Sequence, residues 1–106
     1  MKSRPSRRAV VDIEAEVTRL AVTAGEATAV RFLEAVKAGV ARIEQFPRIG
    51  SPRLWRNQHI VGVRSWPVPG FPGHLIFYRV TSKGIRILRL LRPGVQAETT
   101  LLTPTE

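Results

Sequence analysis

The hydrophobic residues of this chain change period once, and that change limits what it can fold into. From Ser6 to Phe46 apolar side chains recur at three- and four-residue steps: Ala9, Ile13, Val17, Leu20 and Ala24, then Ala29, Phe32, Leu33, Val36, Val40 and Ile43. A 3.6-residue period places such positions on one stripe of an α-helix. Gly25 interrupts the run, so the pattern predicts two helices joined by a tight turn, which must pack antiparallel. Ser6 is suited to cap the first helix, and Asp12, Glu14 and Glu16 are expected on its solvated side. Gly39, inside the second, costs about 1 kcal/mol relative to alanine and marks an expected point of close approach.

Beyond Phe46 the period becomes that of strands. Pro47, Gly50, Pro52 and Asn57 make residues 47–58 a connecting loop. Three segments rich in β-branched and aromatic residues follow, Ile60–Val68, Leu75–Val80 and Ile85–Leu91, with turn-forming residues between them. Connections this short require antiparallel pairing. Met1–Pro5 reads as a weak strand, because Pro5 prevents a helix from starting earlier. The expected fold class is α+β: an N-terminal antiparallel helical hairpin packed on a small antiparallel β-sheet of three strands, or four if the N-terminus joins. A chain of 106 residues suits one core, so residues 1–106 are read as a single domain.

The last two strands carry apolar residues on both faces: Leu75, Ile76, Phe77, Tyr78 and Val80, then Ile85, Ile87, Leu88, Leu90 and Leu91. Two helices cover only one face. The other either folds under the C-terminal tail or receives a partner, and the partner is the preferred expectation. Charge points the same way. Residues 1–44 hold eight Lys/Arg and six Asp/Glu, whereas residues 45–97 hold nine Lys/Arg and no carboxylate. A net charge of +9 predicts an acidic partner of some kind. The absence of cysteine excludes disulfides and thiolate metal sites, and His59 and His74 are too few for a protein-only zinc site. No apolar run approaches the ~20 residues of a membrane span, so a cytoplasmic protein with no membrane association is expected.

In order and spacing these segments resemble the ParE/RelE toxins of type II toxin–antitoxin modules. The residues that carry the resemblance are Pro5-Ser6-Arg7-Arg8-Ala9, Asp12-Ile13, Ala29 with Phe32, and Phe46-Pro47-Arg48-Ile49-Gly50. Gly62-Val63-Arg64, Val68-Pro69-Gly70-Phe71-Pro72, Leu75-Ile76-Phe77-Tyr78-Arg79-Val80 and Ile85 to Leu91 continue it. The strand pattern around Phe71-Pro72 and Leu75 to Arg79 looks closer to the ParE branch. The match departs at Arg92-Pro93-Gly94-Val95-Gln96, where many relatives have a His-Gly and then an Arg-Asp pair. The resemblance implies a helical hairpin on an antiparallel sheet, no cofactor, no metal and no stable small-molecule ligand. It further implies two protein partners: a cognate ParD-like antitoxin, and DNA gyrase as the target of a plasmid-stabilising toxin. The alternatives are a RelE-like ribosome-dependent mRNA endoribonuclease and a relative that binds antitoxin without toxicity.

Under the first reading the target-binding candidates are Arg64, Trp66, Arg79, Arg86, Arg89 and Arg92. The antitoxin-binding candidates are Ile13, Val17, Phe32, Val36, Phe77, Ile87 and Leu91. Under the ribonuclease reading Arg64, by the resemblance, with His74 and Arg89 would form the catalytic group, since cleavage through a 2′-hydroxyl needs proton transfer as well as cations. Each has a structural counterpart: Arg64 pairing a helix carboxylate such as Glu44, His74 as a polar residue at a strand start, Tyr78 as core, and Trp55 and Trp66 as packing.

Overall fold

The computed structural model describes residues 1–102; the last four residues of the expected 1–106 domain lie outside them. Strand β1 (Ser3–Pro5) leads into helices α1 (Arg7–Thr23) and α2 (Glu26–Gln45). Strand β2 (Ser51–Pro52), a 3₁₀ turn (Gln58–Ile60), β3 (Arg64–Val68), β4 (Phe71–Thr81), β5 (Gly84–Leu91) and a short α3 (Ala97–Leu101) follow. The five strands form one sheet in the order β1-β5-β4-β3-β2. The α+β class and the helical hairpin are as the periodicity predicts. The sheet is larger than expected and mixed, because β1 runs parallel to β5. Parallel pairing is open to it because the helices and three further strands intervene, so the short-connection argument governs only β3, β4 and β5.

Ser6 makes the junction. Its Oγ accepts the Ala9 amide at 3.0 Å, capping α1. It also donates to Leu88 O at 2.8 Å, and the Ser6 amide donates to Ile87 O at 2.8 Å. One buried serine thus ends β1, starts α1 and fixes both to β5. Gly39 is the predicted close approach: a Cβ there would lie 3.0 Å from Ile76 Cδ1 and 3.2 Å from Pro69 Cδ.

A bulge explains the two-faced pattern of β5. Phe77 pairs with Arg89 but Tyr78 with Ile87, leaving Leu88 unopposed. The extra residue shifts the alternation by one. Ile85, Ile87 and Leu90 therefore enter the main core with Phe32, Val36, Ile43, Ile76 and Tyr78, between helices and sheet. Leu88 and Leu91 point to the opposite face.

The apolar part of that second face is covered by the chain itself. Ile60, Val63, Phe77 and Leu91 are buried together, with Trp55, Leu75, Leu88, Ala97 and Leu101 packed around them. The indole of Trp55 donates to Val63 O at 3.1 Å, and the Glu98 carboxylate accepts the Arg56 and Asn57 amides at 3.1 and 3.0 Å. The preferred expectation of a partner on this face is thereby corrected in favour of the tail. Segment boundaries move for the same reason: Ile60 and Val63 turn inward beneath the 3₁₀ segment, so β3 begins at Arg64. The turn at Pro69-Gly70 is tight enough for Phe71 to pair with Val68, so β4 starts before Leu75.

Tyr78 pins the loop after α2. Fully buried, it donates to Pro47 O at 2.7 Å and accepts the Gly50 amide at 2.8 Å. Burial raises its pKa from the ordinary 10.0, which keeps the donor proton in place. A Cβ at Gly50 would sit 2.6 Å from the ring, so only glycine fits. Replacing Tyr78 with phenylalanine strands a buried amide and a carbonyl. Tyr78→Phe is expected to lower the unfolding free energy by about 1–3 kcal/mol in urea denaturation.

Candidate functional site

Two carboxylates expected on the solvated side of α1 face inward instead. Asp12 accepts Arg89 Nε at 2.7 Å, Arg89 Nη2 at 2.9 Å and the Leu90 amide at 3.1 Å, while Arg89 Nη1 donates to Thr100 O at 3.2 Å. Arg89 arises on the outer face of β5 and reaches round the edge that β1 leaves open beyond Pro5. The carboxylate is drawn in because an unpaired edge amide and a bidentate cation are both there to be satisfied.

Glu16, one turn on, is buried. Its oxygens accept Arg19 Nε at 2.8 Å and Nη2 at 2.7 Å, and His74 Nε2 lies 2.6 Å from Oε2. The Arg19 hydrogen bond, with a further contribution from His74 and against the opposing effect of burial, holds the carboxyl at a pKa of about 2. An ionised carboxylate only accepts, so His74 Nε2 carries the proton. His74 also lies edge-on to Phe32, ring centroids 4.9 Å apart. It is a buried residue that faces the helices. Asp12, Glu16, Arg19, Arg89 and Arg92 line a cavity of about 320 Å³ beside this pair.

The three residues of the ribonuclease reading are not brought together. Arg64 pairs with no carboxylate among the described residues: its Nη1 donates to Gly50 O at 2.8 Å and Arg48 O at 3.3 Å. Glu44 instead accepts the Ser3 amide and hydroxyl at 2.9 and 2.6 Å. Arg64 is level with Tyr78, four residues along β4 from His74, roughly 13 Å at strand rise. Arg89 arises on the opposite face of the sheet, and its guanidinium is clamped by Asp12 at the far edge. Trp66, half-buried against the main core, is packing; its indole N–H has no acceptor among the described residues.

Of the other target-binding candidates, Arg79 and Arg86 stand directly opposite each other on the outer face of β4 and β5. Arg79 donates to His59 O at 2.7 Å, and Arg92 is exposed just past β5. Most antitoxin-binding candidates lie in this chain's own cores. Phe32, Val36 and Ile87 are buried in the main core and Phe77 and Leu91 in the second, while Ile13 and Val17 are half-buried. The helical period of Phe32 and Val36 and the strand positions of Phe77, Ile87 and Leu91 mark the core. Ile13, Val36 and Ile87 do line a groove of about 270 Å³ with Leu33 and Val40. A wider one of about 690 Å³ runs between Met1, Phe46, Ile49 and Val80. Phe46 there is 46% exposed, with the Arg42 guanidinium 4.8 Å above its ring. In the sequence Phe46 marks only the end of α2 and carries no sign of its exposure.

The family model for the ParE toxin of type II toxin–antitoxin system, parDE, matches residues 4–94. The chain belongs to the ParE toxin family. A solved structure of the chromosomal ParDE TA system from P. aeruginosa is similar to this ParE chain, at 25% identity and a TM-score of 0.72. The similarity covers 88% of this chain and 96% of that one. No curated protein matches. In this ParE chain no helix among the described residues is long and apolar enough to cross a membrane. Nor does any group of three or more His, Cys, Asp or Glu residues there lie where it could hold a metal ion.

The Glu16 carboxyl, lowered from 4.5 to about 2, contributes stability that is present above pH 4.5 and lost as the pH falls through 2. The difference corresponds to roughly 3 kcal/mol. Glu16→Gln is expected to be less stable than the parent at pH 7, with a flatter stability profile between pH 4.5 and 2, as measured by denaturant titration at a series of pH values.

Proposed function

We propose that this ParE chain poisons DNA gyrase by docking rather than by catalysis, and that a ParD-like antitoxin silences it. The family match over residues 4–94 carries the reading. The state of the would-be catalytic groups supports docking: Arg89 is clamped by Asp12, His74 Nε2 is protonated and buried, and Arg64 sits apart from both. An RNA-cleaving site needs a proton acceptor beside its cations. His74 Nε2 is committed to Glu16.

For the antitoxin, the grooves along α2 fit an amphipathic segment laid in by its apolar face. Phe46 and Val40 offer anchors, and Lys37, Arg42 and Arg48 border them, so an acidic flank on that segment would find opposite charge. The solved ParDE relative is itself a toxin–antitoxin system.

The deciding experiment places purified protein on gyrase supercoiling and on ribosome-bound mRNA in parallel. The expected result is loss of supercoiling with intact RNA. Cleaved RNA with unaffected gyrase would replace this reading with a ribonuclease, and neither effect would leave a non-toxic antitoxin binder. Phe46→Ala is expected to weaken a co-purifying antitoxin about tenfold or more, measured by calorimetric titration, with no change in the chain's own fold.

A further inference from the structure

The strand register sets three arginines in one row on the outer face of the sheet. Arg4 of β1 is paired with Arg86 of β5, and Arg86 with Arg79 of β4. Their neighbours in sequence point the other way: Ser3 reaches Glu44 of α2, and Ile85, Ile87 and Tyr78 are in the main core. Like charges directly opposite one another on adjacent strands repel. Nothing in the row relieves this, since β1, β4 and β5 contain no carboxylate. Glu44 is engaged on the helix side and Glu98 by the Arg56 and Asn57 amides. Lys2 and Lys83 are exposed at the same end, where Ile85 N donates to Lys2 O at 2.9 Å. Among the described residues only Arg79 of the row spends a donor locally, on His59 O.

We propose that this row binds the phosphate backbone of duplex DNA. Strands 4.7–4.9 Å apart make the row about 10 Å long, the axial length over which one DNA strand, at ~3.4 Å per nucleotide, presents about three phosphates. Arginine is the side chain best shaped for phosphate oxygens. A protein segment is a poorer occupant, because the apolar grooves that would anchor it lie on the helix side, around Phe46 and Val40. The row reads charge and not sequence. The choice of DNA over RNA rests on the gyrase reading above; the row itself does not.

The test is fluorescence anisotropy of a short labelled DNA duplex with the purified chain, gyrase absent, across a salt series. The expected result is salt-dependent binding that falls at least tenfold in the variant Arg4→Gln, Arg79→Gln, Arg86→Gln. The slope of log affinity against log salt should flatten by about two to three. Arg31→Gln, on the exposed side of α2, should bind within twofold of the parent, and circular dichroism should show the triple variant folded. A triple variant that is folded and binds as the parent does overturns the proposal. So does equal or tighter binding of polyglutamate, which would make an acidic protein segment the occupant, or tighter binding of an RNA duplex of the same sequence. Because gyrase is absent, a failure here is distinct from a failure of gyrase inhibition.

Discussion

The structure depends on how the open edge of β5 is closed. Past Ile87 the strand loses β1, because the chain leaves the sheet at Ser6 to begin α1, and the next edge amides would face water or an uninvited strand. Asp12 supplies the missing acceptor. Its carboxylate takes the Leu90 amide and both arms of Arg89, and Arg89 in turn holds the Thr100 carbonyl. One side chain from the first helix thereby joins the last strand to the tail helix. Removing one partner of such a half-buried pair leaves the other charge uncompensated, which costs more than the pair itself contributes.

Much of this was legible in the sequence. Both helices, the Ser6 cap, the Gly39 approach and three of the strands follow from period and from residues with special backbone needs. The fates of Asp12 and Glu16 were not legible, since a helical wheel places them on a polar stripe and carries no record of the cations across from them. The covering of the second face was not either. It depends on a bulge that adds one residue to β5, and nothing in Ile87-Leu88-Arg89-Leu90 marks where the alternation slips.

The candidate site was less legible than the fold for a related reason. Composition located the cations in the second half of the chain but could not sort them. The fold sorts them by face and by partner: Arg89 is bound to a carboxylate, Arg64 to two carbonyls, and Arg79 and Arg86 stand in line with Arg4, an arginine outside the acid-free segment. Apolar grooves and cationic row lie on opposite faces of one sheet. Two unlike partners could occupy them without sharing a contact.

The pairing of the first strand with the last also bears on timing. Ser6 meets Leu88 across 82 positions of chain, and the edge that β1 forms on β5 cannot exist until residues 85–88 are available. A ribosome-bound intermediate holding only the helical hairpin has its apolar stripe uncovered and its main core unfilled. Non-local closure of this kind is slow relative to helix formation. The native surface therefore cannot be complete before β5 has been synthesised, and until then the apolar stripe of the hairpin lacks the sheet it packs on.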